Sequence, residues 1–200
     1  MKHGTGICGA VVAVLAAAMI GGCSEHEALP KLSSALEPPL TPSTPAPAPA
    51  APPPAAVTAG IKLTVVHADS EETAGEDGKA ANAVDGDTNS FWHTQWQDAA
   101  PEPPHEITIE LTPPATIRGF TYLPRQDDSE NGMIRDYEFY VSRDGTNFTQ
   151  VTRGTFPNTK DVKTVTFAPV PCRFIRLRAL SEVNDGPWTS AAEIGVLPAP

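Results

Sequence analysis

A short segment in the first half of the chain concentrates oxygen-bearing side chains around a glycine turn. It reads Asp85-Gly86-Asp87-Thr88-Asn89-Ser90. Calcium takes six to eight oxygen ligands, many of them carbonyls held by a tight loop, so this composition suits a calcium site. No glutamate closes a twelve-residue loop here, which excludes the EF-hand spacing. A turn that faces water explains the same residues, and both interpretations stay open at this point.

Two later loops carry residues that could contact a ligand. Trp188 follows Gly186 and Pro187, and an indole at a loop tip is not easily explained by core packing. Arg125 stands just after a predicted strand. Its guanidinium could bond a ligand, or it could form an ion pair with Asp127 or Asp128.

The loop after Arg125 also raises the question of catalysis. It holds Asp127, Asp128 and Glu130, and paired carboxylates are the groups that glycosidases use. Three acids on one loop more often form a solvated turn. The chain shows no Ser/His/Asp order with a nucleophile elbow, no phosphate-cradling glycine loop and no histidine-rich metal cluster. We therefore expect no catalytic residues and no enzyme activity.

The charge balance narrows the possible partners. The 200 residues include 14 Lys and Arg against 24 Asp and Glu, a formal net charge of −10. This excludes general nucleic-acid binding, because the phosphate backbone is met by clustered cations. After residue 60 there are 12 Lys and Arg against 21 Asp and Glu, so repulsion also opposes binding to anionic headgroups.

The N-terminus has the features of an export signal. The apolar run Ile7–Ile20 is too short to span a bilayer and fits the hydrophobic stretch of a secretory signal. Two glycines then precede Cys23, which resembles the bacterial lipobox; an ordinary signal peptide is the alternative. The resemblance implies that residues 1–22 are a lipoprotein signal peptide and that Cys23 is lipidated. With Ser24 next, it implies anchoring in the bacterial cell envelope, at the outer membrane.

Residues 23–60 carry no credible secondary structure. Between Pro38 and Pro54 the composition is Pro, Ala, Ser, Thr and Leu. Alternating proline favours polyproline II and would span about 50 Å, and a disordered tether is the other interpretation. Either way, we expect a Pro/Ala-rich linker that holds the following domain away from the membrane.

From residue 61 to 198 the pattern is that of one β domain. Short runs rich in β-branched and aromatic residues alternate with turn signals, and no window shows a helical stripe. We predict eight strands, near Lys62–Val66, Glu106–Leu111, Ile117–Leu123, Tyr137–Ser142, Phe148–Arg153, Lys163–Phe167, Phe174–Ala179 and Glu193–Leu197. The expected fold class is all-β, an eight-stranded antiparallel jelly-roll β-sandwich.

Several blocks, in order, carry a family resemblance. They are residues 82–96, 119–127, 131–132, 137–145, 173–179 and 190–194. Together they resemble the discoidin, or coagulation factor V/VIII type C, superfamily, and within it most closely the family 32 carbohydrate-binding modules. The resemblance covers about residues 62 to 197 and implies an eight-stranded jelly roll, in agreement with the strand pattern.

The resemblance also implies two sites. A structural Ca²⁺ would be held by side chains of Asp85, Ser90 and Glu193 and by carbonyls of Asn82, Asp87 and Ala192. The residues matching the sugar-binding positions are His93, Trp96, Arg125, Asn131 and Trp188. An indole can stack on the apolar face of a sugar, and polar side chains can bond its hydroxyls.

Structural roles compete for the same residues. Trp92 directly follows Phe91 and is expected in the core, while His93 and Trp96 could also be structural. Asn131-Gly132 is a turn dipeptide in any protein.

The resemblance thus implies a membrane-anchored, non-catalytic carbohydrate-binding lipoprotein. Its ligand would be a galactose-like or amino-sugar glycan, bound by loops at one end of the sandwich. The alternative is a protein-binding, adhesive surface module that uses the same loops on an envelope protein. Attachment to anionic lipid is a third possibility, which the charge of the domain opposes.

Overall fold

The computed structural model describes residues 60–200, so the predicted signal peptide, Cys23 and the linker up to residue 59 lie outside the described residues. This part contains a short 3₁₀ helix, η1, at Ala80–Val84, and none of its helices is long and apolar enough to span a membrane. The strands are β1 Lys62–Ala68, β2 Trp92–His93, β3 His105–Leu123, β4 Asp136–Ser142, β5 Thr149–Thr155, β6 Lys163–Ala179, β7 Ser190–Ala191 and β8 Glu193–Pro198.

The strands pair antiparallel, and the long strand β3 has two sets of neighbours. Five strands follow the order β1-β3-β6-β4-β5. The first half of β3 pairs with β1 and β6, and its second half, residues 117–123, pairs with β8 and β6. Because one strand serves two sets of partners, the sheet folds over on itself and encloses a core. The arrangement confirms the predicted all-β antiparallel jelly roll.

Two pairs of predicted strands are each one continuous strand in the structure. The predicted strands 106–111 and 117–123 are halves of one strand, β3, and 163–167 and 174–179 are halves of β6. Prolines stand between the halves, and proline lacks a backbone donor for a strand ladder. The β3–β6 ladder instead shifts register between Glu110 and Ala115 and again between Ile117 and Gly119, so the irregularity is absorbed as bulges.

Aromatic rings fill the centre of the sandwich. Phe120 of β3 stacks on Phe139 of β4 with ring centroids 4.0 Å apart, and Tyr137 stacks on Phe156 at 4.1 Å. Trp92 is fully buried, as predicted for a core residue, and its Nε1 donates to the carbonyl of Ser70. Stacked rings packed at this density give the loops a rigid base.

Tyr122, in the second half of β3, connects the core to two loops. Its buried hydroxyl donates to the carbonyl of Ser190 and accepts from the amide of Ile134, both at 3.0 Å. Ser190 belongs to β7, which pairs with β2 in a two-residue ladder that the sequence did not predict. A ladder this short has no detectable period, so only the folded chain identifies it.

We predict that Tyr122→Phe lowers the free energy of unfolding by about 1–3 kcal/mol, because the change leaves a buried amide and a buried carbonyl without partners. Tyr140→Phe is the matched control, since the Tyr140 hydroxyl bonds Glu138 at a half-buried surface position. We expect it to cost less than about 0.5 kcal/mol. Urea unfolding of both variants measures the difference, and equal losses would contradict the role assigned to Tyr122.

Candidate functional site

One depression brings together all five residues that match sugar-binding positions. Its volume is about 310 Å³, and it is lined by His93, Trp96, Arg125, Asn131 and Trp188 together with Glu76 and Ser129. We call it the loop pocket, because all of these residues except His93 lie on loops. A larger open depression, about 890 Å³, between the end of β1 and residues 99–101 holds none of the five. The structure thus places the five residues together, and their role in binding stays a prediction.

The β2–β7 ladder explains how distant parts of the chain meet at the pocket. His93 of β2 lies opposite Ser190 of β7. Just beyond, the amide of Thr94 donates to the carbonyl of Thr189, and the amide of Thr189 donates to the Thr94 hydroxyl, both at 2.9 Å. These bonds place Trp188, the next residue back along the chain, beside the loop that follows β2.

Arg125 is almost fully buried and is held on three sides. Its Nε and Nη2 donate to both carboxylate oxygens of Asp127, at 2.7 and 2.6 Å, and Nη1 donates to the carbonyl of Asn131. The guanidinium also lies over the ring of Phe91, 4.2 Å from its centroid. The ion pair with Asp127, proposed as the structural alternative, is therefore present. Two of the five N–H groups remain free of these bonds and can donate to a ligand.

His93 is buried at the floor of the pocket in a defined tautomer. Its Nδ1 lies 2.6 Å from the carbonyl of Thr94, and a carbonyl only accepts, so Nδ1 carries the proton. In the neutral ring, Nε2 is then an acceptor. Burial is the main cause that lowers the pKa of His93, and nearby Arg125 lowers it further. The neutral, accepting form is therefore the one present near neutral pH.

Trp96 forms an exposed wall, and Glu76 fixes its orientation. The indole is 42% exposed, and its Nε1 donates to Glu76 Oε1 at 2.9 Å. The ring packs against Gly75, where a Cβ would stand 2.5 Å from two ring carbons, so only glycine allows this approach. Glu76 was not predicted as a site residue, because it lies in an acidic stretch that resembles a solvated loop.

Trp188 presents carbon atoms rather than its N–H to the pocket. The side chain is half-buried, and its Nε1 is buried without a hydrogen-bond partner among residues 60–200. The ring packs against Gly186, 3.0 Å from the position that a Cβ would occupy. An indole held in this way can offer apolar surface to a ligand.

Asn131 belongs to the predicted turn, and its side chain lines the loop pocket. It precedes Gly132, whose φ of +81° is the left-handed conformation of a turn. Its backbone carbonyl accepts from Arg125 and from the Ser190 hydroxyl, while no hydrogen bond ties its side-chain amide to residues 60–200. The amide is therefore available at the pocket rim.

Glu72 holds the loops on one side of the pocket, a role that was not predicted from the sequence. Its buried carboxylate accepts four backbone amides, from Ala74, Gly75, Trp96 and Gln97, at 2.7–2.8 Å. These bonds, the Gln97 amide first, lower the pKa of Glu72 to about 2. Any stability that this shift gives is present above pH about 4.5 and is lost as the pH falls toward 2.

Glu182 does the same on the other side. It is 1% exposed and accepts the amides of Gly132, Asn184 and Gly186, at 3.2, 2.7 and 2.8 Å. One carboxylate therefore connects the loop of Asn131 with the loop of Trp188. Neither glutamate touches the pocket, so a motif search for ligand-binding residues would pass over both.

A second group of polar residues, Asp85, Asp87, Ser90 and Glu193, forms what we call the oxygen cluster. Ser90 Oγ lies 2.7 Å from Asp85 Oδ2 and 3.0 Å from the carbonyl of Asp87. Glu193 Oε1 accepts the amide of Gly86 at 2.7 Å. Burial, and then the nearby carboxylates of Asp85 and Asp87, raise the pKa of Glu193 to about 7. The carboxylates of Asp85, Asp87 and Glu193 thus lie close together, and no cationic side chain contributes to the pKa shift of Glu193.

The donor set of the oxygen cluster suits a hard cation. Asp87 turns its carboxylate to Asn89 and leaves its carbonyl on the Ser90 side. No group of three or more His, Cys, Asp or Glu side chains within residues 60–200 is arranged to hold a metal. The oxygen cluster nevertheless offers the carboxylates of Asp85 and Glu193, the Ser90 hydroxyl and the Asp87 carbonyl. Calcium accepts all three kinds of oxygen ligand. Asn82 lies on η1 and Ala192 precedes Glu193; η1 packs against β8.

Sequence comparison places the described part within a known family. A profile of the F5/8 type C domain matches residues 66–194. A sialidase of Micromonospora viridifaciens is 40% identical over 146 residues, covering 70% of this chain and 22% of the sialidase. A galactose oxidase of Gibberella zeae is 40% identical over 136 residues, covering 67% of this chain and 20% of the oxidase. The chain thus spans about a fifth of the length of these relatives.

Solved structures support the same assignment. The module CpGH89CBM32-5 from Clostridium perfringens, in complex with GalNAc-β-1,3-galactose, is 38% identical with a TM-score of 0.61, covering 68% of this chain and 94% of the module. The family 32 module of C. perfringens NanJ, in complex with galactose, is 34% identical with a TM-score of 0.59, covering 68% and 93%. The resemblance noted in the sequence is confirmed, and the chain belongs to the F5/8 type C domain family, with family 32 carbohydrate-binding modules as its structural neighbours.

Proposed function

We propose that this protein is a non-catalytic carbohydrate-binding protein whose loop pocket takes a terminal galactose or N-acetylgalactosamine residue. The observation that carries the proposal is the convergence of Trp96, Trp188, Arg125, His93 and Asn131 around one depression. Two similar solved modules hold galactose or a GalNAc-containing disaccharide, which supports this choice of sugar.

The chemistry of the pocket fits a sugar ring. The exposed indole of Trp96 and the carbon edge of Trp188 offer apolar surface for the C–H face of the sugar. Arg125 supplies donors, His93 Nε2 supplies an acceptor, and the amide of Asn131 supplies both. Because the bonds of Arg125 and Trp96 to Asp127 and Glu76 already fix these side chains, little side-chain entropy is lost when a ligand binds.

We predict that Trp188→Ala weakens galactose binding by about tenfold or more, because it removes apolar contact area from the pocket. Val66→Ala is the matched control, since Val66 is a half-exposed apolar residue on β1 outside the loop pocket. A glycan array followed by calorimetry with galactose and N-acetylgalactosamine measures both variants.

Two results would count against the proposal. One is a Trp188→Ala variant that binds as tightly as the unmodified chain. The other is silence of the unmodified chain on every glycan, which, with an envelope protein captured in its place, would favour the adhesive alternative.

We further propose that the oxygen cluster holds a structural Ca²⁺. A cation would relieve the repulsion among Asp85, Asp87 and Glu193 and join the loop after η1 to β8. Without it, Glu193 is more easily protonated than in the unfolded chain, so this group stabilises the fold at low pH. That contribution is lost as the pH rises through about 7.

We therefore predict that EDTA lowers the melting temperature by about 4 °C at pH 8 and by clearly less at pH 5.5, with recovery on adding Ca²⁺. Glu193→Gln should remove the response, and Glu102→Gln, at an exposed loop position, should keep it. Differential scanning calorimetry with mass-spectrometric metal analysis is the test; no response to chelator and no bound metal would refute the site.

The anchor of the protein is also a proposal. We propose that Cys23, outside the described residues, carries lipid that holds the protein on the bacterial cell envelope, at the outer membrane, with the linker between lipid and domain. Several acyl chains, at about 0.8 kcal/mol per buried CH₂, would make this attachment nearly permanent.

We predict that radiolabelled palmitate enters the unmodified chain and is absent from Cys23→Ala. Cys172→Ala is the control and should keep the label, because Cys172 is a buried thiol of the domain. A Cys23→Ala variant that still incorporates palmitate would overturn the lipid assignment.

A further inference from the structure

His105, the first residue of β3, lies behind the loop pocket and is fully buried. Both of its ring nitrogens face hydrogen-bond acceptors. Nδ1 lies 2.7 Å from Asp69 Oδ2, and Nε2 lies 2.8 Å from the carbonyl of Pro187 and 3.1 Å from the carbonyl of Pro101. Carboxylates and carbonyls cannot donate, so every partner of this ring requires a proton from it.

Only the imidazolium form satisfies all of these contacts. A neutral histidine carries one N–H, so it would leave either Asp69 without a donor or a nitrogen lone pair facing two carbonyl oxygens. A buried polar group that loses its partner costs about 1–3 kcal/mol. The folded geometry around His105 is therefore matched to its charged state.

The contact to Pro187 connects this charge to the loop pocket. The Pro187 carbonyl belongs to the peptide unit that joins Pro187 to Trp188, so fixing this oxygen helps to fix the backbone of Trp188. Proline has no amide hydrogen, so this part of the loop cannot be held through a donor of Pro187. Upstream, Glu182 holds the amides of Asn184 and Gly186, and downstream Thr94 holds Thr189.

We propose that the imidazolium of His105 is a positioning residue for the loop pocket: when the ring loses its proton, the Pro187–Trp188 peptide loses its donor and the affinity for sugar falls. The proposal rests on the proposed function of the pocket. His105 itself lines no part of the pocket and does not touch the ligand.

Several charged residues lie near His105, and most of them have partners other than its ring. Ionisable residues next to His105 along the chain, across the β3–β6 register or on the loops that contact its ring are Asp69, Glu102, Glu106, Arg178, Glu182 and Asp185. Of these, only Asp69 bonds the ring. Arg178 pairs with Glu138, Asp185 pairs with Arg135, and Glu182 accepts backbone amides.

The contacts of His105 together raise its pKa. Burial alone lowers the pKa of His105, but the bond to Asp69, the bonds to Pro187 and Pro101 and the charge of Asp69 outweigh it, so the pKa is raised above 6.5. The raised pKa stabilises the folded state, and this contribution is complete below pH 6.5, the pKa of histidine in the unfolded chain. It is lost as the pH rises through the pKa of His105 in the folded state. His93 titrates in the opposite direction, below 6.5, so the two histidines affect separate limbs of a pH profile.

The first measurement uses the full chain without ligand. We expect the ¹⁵N signals of His105 to show two N–H groups at pH 6 and a midpoint above 6.5. The indole signal of Trp188, assigned with Trp188→Phe, should shift with the same midpoint. A ring that is neutral at pH 6, a ring still charged at pH 9, or a Trp188 signal that ignores the titration would overturn the proposal.

The second measurement follows galactose affinity from pH 6 to 9. We expect a fall of about fivefold across the His105 midpoint, as for partial loss of one charge-assisted hydrogen bond. Asp69→Asn should move both the ring midpoint and the affinity midpoint to lower pH, which a purely structural role would not do. His67→Gln, a matched exposed histidine on β1, should leave the profile unchanged.

The outcomes separate the two proposals. Absence of galactose binding at every pH refutes the proposed function, and the ligand-free Trp188 titration then still supports or overturns the coupling by itself. Galactose binding that is equally tight on both sides of the His105 midpoint overturns the positioning role and leaves the proposed function intact.

Discussion

A pocket built on irregular loops must satisfy its backbone amides without a strand ladder, and here two buried glutamates do so. Backbone groups that are buried unpaired cost as much as a lost hydrogen bond, so such loops cannot be both rigid and unsupported. Glu72 accepts four amides on one side of the loop pocket, and Glu182 accepts three on the other. The two carboxylates therefore support both tryptophans of the pocket. The backbone amide of Trp96 donates to Glu72, and Trp188 follows the turn whose amides Glu182 accepts.

A third residue, His105, also supports these loops, and it is a cation because its backbone partner is a carbonyl rather than an amide. Near Trp188 the loop presents the carbonyl of Pro187, which needs a donor, and His105 provides one. Backbone amides stabilise the two carboxylates, whereas the carboxylate of Asp69 and two backbone carbonyls stabilise the imidazolium of His105. The conformation of the pocket loops therefore depends on the charges of these buried residues. It responds most to pH at His105, because histidine changes its protonation near neutral pH.

Much of the scaffold could be predicted from the sequence, since alternation of apolar residues is a local signal. The pattern in β4 puts Tyr137, Phe139 and Val141 in the core, where the structure has them. The prediction divided β3 and β6 into separate runs, whereas the ladder continues across the prolines between the runs with shifts of register. The β2–β7 pairing joins residues about a hundred positions apart and leaves no periodic trace.

The same distinction between local and long-range signals applies to the site. Trp188 was recognisable because an indole at a loop tip is unusual in itself, and Arg125 because it matches a sugar-binding position of the family. Glu76, Glu72, Glu182 and His105 were not, because a glutamate in an acidic stretch or a histidine at a strand start has no local mark of function. Their roles depend on which backbone groups, or for Glu76 which indole, the fold brings within hydrogen-bond distance of them, and that is a property of tertiary structure alone.

The run from Trp188 to Glu193 connects the loop pocket, the β2–β7 ladder and the oxygen cluster. Its first residue is a wall of the loop pocket, its middle forms β7 against β2, and its last residue belongs to the oxygen cluster. Tyr122 bonds the carbonyl of Ser190 at the centre of the run, and the amide of Ala192 donates to Leu123 of β3. Six residues are therefore fixed at both ends and in the middle by different interactions. The Gly86 amide bonds Glu193 at one end of the run, and Thr94 holds the backbone next to Trp188 at the other, so one short segment joins the loop pocket to the oxygen cluster.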